Sequence, residues 1–266
     1  MKLDYGTQLS PSPISLSIGT LLKPKLKDIT NSKKGMSFNK FNYYEVLIKM
    51  TPELFYTKIK GESGLEYWNS LTTNEKETMT LYDVVLKEKQ LTDSFVDIFN
   101  FFFEETVIFK ESFFVLLDKN INADINTITE KDIHGVISDK SFLQVLDIIQ
   151  QICCIDDNEK NISDLKFKNK LAKSIYEKMQ KAAKKQKSEK NNIDFTLPNI
   201  ISSVSNKHKT ISPITVWNLT IFQLLDSFSR LQINTMFDIN STRVSVWGDE
   251  KKTFNAALWY KNEYDK

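Results

Sequence analysis

The chain has 266 residues, with 36 basic and 34 acidic side chains that leave a formal net charge of +2. Apolar residues make up 41% and aromatic residues 12% of the sequence, which is typical of a globular protein with one or two domains. This composition excludes a chain that is disordered throughout, a collagen-like repeat and a secreted scaffold held by disulfides.

Strand and helix patterns alternate in the first fifty residues. A first strand that ends at Gly19 is predicted from the alternating apolar residues Ile14, Leu16 and Ile18. Leu26 and Ile29 then indicate a short helix with Pro24 in its first turn. Helical spacing resumes after Gly35 and predicts a helix over 38–50.

Capping residues predict the next helices. Thr51 followed by Pro52 and an acidic residue is typical of a helix start. A short helix is expected over 66–71. Thr73 is predicted to cap a longer helix that continues at helical spacing through residues 81–85.

Aromatic residues crowd between residues 93 and 117, where the pattern predicts a helix followed by a hairpin. A ligand pocket and an ordinary core both fit such a cluster, and we interpret it as core because no polar residues converge there. Residues 118–138 are expected to form a polar excursion. A strong amphipathic helix then starts near Ser138 or Asp139 and carries Phe142, Val145, Leu146, Ile149 and Ile152.

The composition changes after Asp157. Residues 166–190 hold ten lysines and two glutamates, a local charge of +8, and predict a helix that frays into a linker. These lysines fit the solvated face of an exposed helix or a tether, an acidic protein partner, or a nucleic acid. The candidate contact residues in this stretch are Lys173, Lys181, Lys184 and Lys185.

Two helix-start signals follow, Thr196-Leu197-Pro198 and Ser212-Pro213. The second is predicted to open a helix whose apolar stripe from Ile214 onward recurs at heptad-type spacing. Core packing and contact with a partner both fit this stripe. The candidate partner-binding residues on it are Trp217, Ile221, Leu224, Phe228 and Leu231. A short strand is expected at 244–247, and a final turn or helix at 254–260.

No catalytic, metal or cofactor site is predicted. Glycine-rich phosphate loops and the HExxH motif are absent, and the two histidines, His134 in an expected loop and His208 in an exposed turn, lack triad spacing. Oxygen ligands at alternate positions from Asp118 resemble a calcium loop, but Ala123 and Thr129 replace its glycine and its closing glutamate. We therefore expect a protein that is not an enzyme and needs no cofactor.

The cysteine content and apolar runs predict a soluble cytosolic protein. Cys153 and Cys154 are the only cysteines, and we expect both to be buried free thiols in a reducing compartment. The N-terminal residues lack the pattern of a secretory signal. No run approaches the 18 uncharged apolar residues that a membrane helix requires.

Both ends of the sequence resemble proteins encoded by phages and prophages of low-GC Gram-positive bacteria. The similar stretches are LDYGTQLSPSPISLSIGTL (3–21), TLPNIISSVSNKH (196–208), PITVWNLTIFQLLDSFSRL (213–231) and VSVWGDEKKTFNAALWYKNEYDK (244–266). The resemblance implies a gene close to tail-morphogenesis genes, and hence a tail assembly chaperone or a minor tail or baseplate component. It implies no site residues.

Together, these patterns predict a mainly α-helical protein with a small β element, of the α+β class. We expect an N-terminal α+β domain (1–157), a lysine-rich helix and linker (158–193) and a helical C-terminal region (194–266). The resemblance implies a non-enzymatic tail morphogenesis factor that binds tail or baseplate proteins in the host cytoplasm or the virion. The alternative is a nucleic-acid-binding protein that uses residues 166–190.

Overall fold

The computed structural model describes residues 2–118, 132–155, 196–249 and 254–260. The chain has the predicted α+β class, with helices and two small antiparallel sheets. It divides into two compact units. The first contains the described residues up to Ile155 together with Asn218–Phe222, and the second contains the remaining described residues of the C-terminal part. The predicted linker, the lysine-rich stretch and the predicted domain boundaries lie outside the described residues.

The N-terminal part of the chain carries nine α-helices and five strands among its described residues. The helices are α1 (Tyr5–Leu9), α2 (Leu26–Ile29), α3 (Phe38–Ile48), α4 (Pro52–Leu54), α5 (Glu62–Ser70), α6 (Thr73–Thr78), α7 (Leu81–Lys87), α8 (Lys89–Phe102) and α9 (Asp139–Cys153). The strands are β1 (Ile14–Leu16), β2 (Gly19–Leu21), β3 (Thr106–Lys110), β4 (Phe113–Leu117) and β5 (Ile133–Ile137). A π-helical turn, Phe55–Ile59, continues α4.

Threonine caps determine where the helices after residue 50 begin. Thr51 caps α4 as predicted, with its hydroxyl accepting from the Leu54 N–H at 3.1 Å. The prediction that Thr73 caps one long helix is wrong. Thr72 caps α6 through a reciprocal capping box with Glu75, the backbone becomes extended, and Thr80 caps a separate α7.

A β-hairpin replaces the single N-terminal strand that the alternation predicts. β1 does not run to Gly19; the chain turns after Leu16, and β2 begins at Gly19, so that Ile14 pairs with Leu21. Gly19 has φ +154°, and a Cβ at this position would lie 2.5 Å from the Leu116 side chain. The backbone conformation therefore favours glycine, and a side chain at this position would also have to displace the end of the Leu116 side chain.

The predicted helix and hairpin form as α8, β3 and β4, and β5 extends them into a three-stranded sheet of order β3-β4-β5. The expectation of a polar excursion over 118–138 is wrong at its C-terminal end, because β5 pairs with β4 there. His134 consequently lies in a strand and not in a loop. Residues 119–131, with most of the calcium-like pattern, lie outside the described residues.

The aromatic cluster is the core of the first unit, as predicted. The fully buried phenylalanines at its centre include Phe95 and Phe99 on α8, Phe114 on β4 and Phe142 on α9. The Phe99 ring lies edge-on to Phe114 with centroids 5.0 Å apart, and edge-on to Phe142 at 5.8 Å. These contacts bury one face of the sheet against the two longest helices of the unit.

The two cysteines differ in burial. Both are free thiols, but only Cys153 is buried as predicted, whereas Cys154 is half-buried. Burial raises the pKa of the Cys153 thiol well above its usual value. Cys154 adopts a left-handed conformation with φ 51° and ends α9.

The C-terminal part of the chain is helical. The helix α10 (Leu197–Lys207) begins after Thr196 with Pro198 in its first turn, as predicted. The helix α11 (Ile221–Trp247) has 27 residues and is therefore about 40 Å long. A 3₁₀ turn over Leu258–Tyr260 confirms the predicted final turn. In the described part of the chain, no helix is long and apolar enough to span a bilayer.

Two predictions for α11 are wrong. The helix does not start at Ser212-Pro213, because a 3₁₀ turn at Val216–Asn218 and an extended Thr220 precede it. Residues 244–247 are not a strand but the last turn of the helix. Gly248 ends it with φ 77° and donates its N–H to the Val244 carbonyl at 2.8 Å.

Candidate partner-binding site

The predicted partner-binding residues do not share one face. Trp217 lies in the 3₁₀ turn and is half-buried, while Ile221 and Leu224 are buried. Phe228 and Leu231 are half-buried on α11 and line a common cavity. The candidates in the lysine-rich stretch, namely Lys173, Lys181, Lys184 and Lys185, lie outside the described residues. Phe228 and Leu231 are therefore the predicted residues that the structure brings together at a surface.

We call the cavity lined by these two residues the groove. It has a volume of about 480 Å³ and lies between α10 and α11. Its lining residues are Ser203, Lys207, Phe228, Leu231, Gln232, Thr235 and Met236. The Thr235 hydroxyl donates to the Leu231 carbonyl at 2.7 Å, so it is satisfied within the helix. A surface pocket of this size with phenylalanine, leucine and methionine in its wall fits an apolar side chain.

A second, more polar recess of about 530 Å³ shares Lys207, Leu231 and Thr235 with the groove. Its charged and titratable lining residues are Lys207, His208, Lys209 and Asp238, and Trp259 adds an aromatic wall. The Nδ1 atom of His208 accepts from the N–H groups of Thr210 and Ile211, at 3.2 and 3.1 Å, so the neutral ring carries its proton on Nε2. Groove and recess together place basic groups beside an apolar depression.

Large apolar residues continue along α11 beyond the groove. Met236, Ile239 and Val246 are each more than half exposed, and Trp247 is 76% exposed. Residues 236, 239, 243 and 246 follow one another at spacings of 3, 4 and 3, so they lie on one side of the helix. We call the residues Met236, Ile239, Arg243 and Val246 the seam.

The seam was missed because Val244, Val246 and Trp247 are residues that favour strands. Two signals in the sequence could have identified it. No glycine or proline occurs between residues 221 and 247, and Met236, Ile239 and Val246 recur at helical spacing, with Arg243 as the charged member of the 3–4–3 series. The serine and threonine residues of this stretch are compatible with a helix because their hydroxyls donate to carbonyls three or four residues earlier.

The cleft of the first unit, of about 570 Å³, has a balanced set of charges. Its charged lining residues are Lys23, Lys25, Asp28, Lys34, Lys40, Asp97, Glu104 and Glu105. The Lys40 Nζ lies 3.2 Å from the Asp97 carboxylate. The Lys23 ammonium donates to the carbonyls of Thr7 and Ser10, and burial lowers the pKa of Lys23. These lysines hold structural positions instead of converging on an open site.

His134 links two carboxylates in the first unit. Its Nε2 lies 3.7 Å from Glu105, and its Nδ1 lies 3.3 Å from Asp118. Both oxygens of the buried Glu105 carboxylate accept from the Thr20 N–H at 3.0 Å, which ties β2 to the start of β3. Within the described ranges, no three His, Cys, Asp or Glu side chains gather closely enough to hold a metal ion.

A match to a known protein family covers the region of the groove and the seam. Residues 184–264 match the family model of the YomV second domain. No curated protein and no solved structure matches the chain. The C-terminal part of the chain is thus similar to the second domain of YomV, a Bacillus prophage protein, and this similarity indicates a protein of phage or prophage type.

Proposed function

We propose that this chain is a non-enzymatic factor of phage tail morphogenesis that binds tail or baseplate proteins through the groove and the seam. The observation that carries the proposal is the cluster of large, exposed apolar side chains on α11. Contiguous apolar patches of this kind mark interaction sites on protein surfaces. The cluster lies within the region that resembles a phage protein domain.

The chemistry of the site defines the partner it fits. An apolar side chain of the partner would fill the groove beside Phe228 and Leu231. Acidic residues next to that side chain would face Lys207 and Lys209 at the neighbouring recess. The partner surface is therefore an apolar segment flanked by carboxylates, as an amphipathic helix would present it.

Two roles are compatible with such contacts. As an assembly chaperone, the chain would shield an aggregation-prone apolar surface of a tail protein and release it during assembly. As a minor tail or baseplate component, it would keep the same contact in the finished virion. Mass spectrometry of purified virions separates the two, because only a component remains in them.

Co-expression with each tail and baseplate gene of the parent phage tests the proposal. The tagged chain should retain an identified tail or baseplate protein. Met236→Asp should abolish retention, because it places a charge at the junction of groove and seam. Val46→Asp is the matched control, since Val46 is half exposed on α3 of the first unit. Equal retention by both variants, or retention of no tail protein by the unmodified chain, would contradict the proposal.

The lysine-rich stretch supports a second candidate function, binding of nucleic acid. Its ten lysines give residues 166–190 a local charge of +8. Binding through phosphate contacts falls steeply with salt, whereas apolar protein binding changes little. Retention of an oligonucleotide at low salt that is lost at moderate salt would favour this function. A failure to bind oligonucleotides even at low salt would eliminate it.

A further inference from the structure

The polar recess beside the groove brings together three segments of the second unit. They are the end of α10 with the turn after it, one side of α11, and the 3₁₀ turn over Leu258–Tyr260. Its volume of about 530 Å³ lies in the range of pockets that bind small organic molecules. The side chains that carry the chemistry of the recess are Lys207, His208, Lys209, Asn234, Asp238 and Trp259.

Most of these polar side chains have unused hydrogen-bonding capacity. Among the described residues, no hydrogen bond or ion pair is formed by the side chains of Lys207, Lys209, Asn234 and Asp238. The lysines offer N–H donors, the carboxylate offers acceptors, and the amide offers both. A ligand in the recess therefore meets donors and acceptors within a single pocket.

His208 adds a donor with a fixed tautomer. Its Nδ1 atom accepts from the backbone N–H groups of Thr210 and Ile211, at 3.2 and 3.1 Å. These two contacts orient the ring and leave the proton of the neutral imidazole on Nε2. The half-buried ring thus presents one N–H donor whose direction is set by the backbone of the chain itself.

Trp259 supplies an aromatic surface next to these polar groups, and it is 53% exposed. The preceding Phe254 packs against Phe237 of α11 with ring centroids 5.6 Å apart, which anchors this segment of the chain on the helix. The tryptophan is thus held at the recess, while about half of its surface remains accessible to a flat ring.

This combination of groups favours one class of ligand. An inorganic anion would use only the lysines, and an apolar side chain would use only the indole. A nucleotide uses the whole recess, because its base stacks on aromatic rings, the edge of its base pairs with amides and carboxylates, and its phosphate is attracted to lysines.

We propose that the recess is a nucleotide-binding site in which the base stacks on Trp259. The two lysines contact the phosphate, His208 donates to a phosphate or ribose oxygen, and Asn234 and Asp238 pair with the edge of the base. This site goes beyond the proposed function, which concerns the groove and the seam. Because the lysines also face the acidic residues of a bound tail protein, a phosphate and those residues compete for them.

Isothermal titration calorimetry of the full chain with adenosine 5′-monophosphate (AMP) tests the proposal, at about 50 mM salt. Adenosine lacks the phosphate and ribose 5-phosphate lacks the base, so we expect each to bind at least about fivefold more weakly than AMP. Ribose 5-phosphate that binds as tightly as AMP would overturn the proposal, because the base would then contribute nothing. An absence of AMP binding at about 5 mM would overturn it as well.

Variants of the recess test the assigned contacts. Trp259→Ala should weaken AMP binding about tenfold, because it removes the stacking surface. Trp247→Ala is the matched control, since Trp247 is 76% exposed and lies outside the recess. Lys209→Gln should weaken the binding of AMP and reduce its salt dependence, but leave the binding of adenosine unchanged. Equal AMP affinities of the two tryptophan variants would overturn the proposed stacking, provided that circular dichroism shows equal helix content.

A free mononucleotide and a nucleotide unit within a single strand present the same groups to the recess. Titration with oligo(dA) of about 6 and 12 nucleotides distinguishes these two sources. An affinity that rises with length, and that Trp259→Ala lowers, assigns the site to single-stranded nucleic acid. An affinity that is independent of length assigns it to a free nucleotide.

Nucleotide binding and retention of a tail protein can fail separately. A chain that retains a tail protein but does not bind AMP would support the proposed function and overturn the nucleotide site. A chain that binds AMP through Trp259 but retains no tail protein would support the nucleotide site and contradict the proposed function.

Discussion

The core of the first unit and the exposed face of α11 both contain large apolar side chains at helical spacing, but these side chains are buried in the core and exposed on α11. Phe95 and Phe99 on α8 are fully buried, whereas Met236 and Ile239 on α11 are more than half exposed at similar helical spacing. Apolar periodicity therefore indicates that a helix face is buried in a contact, but it does not identify the contacting element. The apolar face of α8 packs against β4 and α9, whereas we propose that another protein chain packs against the apolar face of α11.

The largest loss in the free energy of unfolding is expected for a substitution in the core. Phe99→Ala should lower the free energy of unfolding by about 3–5 kcal/mol, because it leaves a cavity between Phe114 and Phe142. Phe113→Ala is the matched control on β4, since Phe113 is 43% exposed and should cost less than about 1 kcal/mol. Urea unfolding followed by circular dichroism measures both, and similar losses would show that the aromatic cluster is not the core.

The next largest loss in the free energy of unfolding is expected at Gly135, where two backbone segments of the first unit lie close together. A Cβ on Gly135 would lie 2.1 Å from the Ile18 carbonyl oxygen, so Gly135→Ala must move the β1–β2 hairpin away from β5. We expect a loss of about 1–3 kcal/mol in the free energy of unfolding. Gly35→Ala is an informative comparison, since a Cβ there has no neighbour within 4 Å but φ is 67°. Hydrogen exchange should show increased opening near residues 14–21 only in Gly135→Ala, and unchanged exchange there would contradict the predicted displacement.

A smaller effect on stability is expected at Glu45, and it should depend on pH. Burial raises the pKa of Glu45 on α3, although the charge of Lys49 opposes this. The folded state then holds the proton more tightly than the unfolded state, so stability falls as the pH rises from the unfolded pKa of about 4.3 through the folded pKa. Glu45→Gln should raise the thermal midpoint at pH 7 and leave it unchanged near pH 4. Glu53→Gln, at an exposed carboxylate, serves as control; a Glu45→Gln midpoint that does not rise at pH 7 would contradict the assignment.

The smallest effect on stability is expected at the seam. Ile239→Ala should change the unfolding free energy of the monomer by no more than about 0.5 kcal/mol, because the side chain is exposed. A loss as large as that of a core residue would show that the face of α11 is covered within the single chain, and the comparison with α8 would no longer hold.

Local signals predicted much of the fold. Thr51 and Thr196 start helices as their caps indicate, and α9 follows its apolar periodicity. The start of α11 could not be predicted because it depends on a long-range contact. The Leu26 N–H donates to the Leu219 carbonyl at 2.9 Å, which holds residues 219–220 extended and delays the helix to Ile221. The strand β5 likewise depends on pairing with β4 and not on its own sequence.

The candidate site was predicted in part. Phe228 and Leu231 were identified from spacing alone, and the groove contains both. Ile221 and Leu224 share that spacing, but they are buried, and only the three-dimensional structure reveals this difference. Trp247 was assigned to a strand because β-branched residues surround it, although their preference is weak compared with the continuity of a long helix.

In-cell photo-crosslinking tests the central claim most directly. A benzophenone amino acid would replace Met236 in cells that produce the parent phage, with replacement of Val46 as the control. Cross-linked products would be identified by mass spectrometry. We expect cross-links from position 236 to an identified tail or baseplate protein and none from position 46. Cross-links to such proteins from position 46 alone, or from neither position, would contradict the claim that α11 presents the binding face.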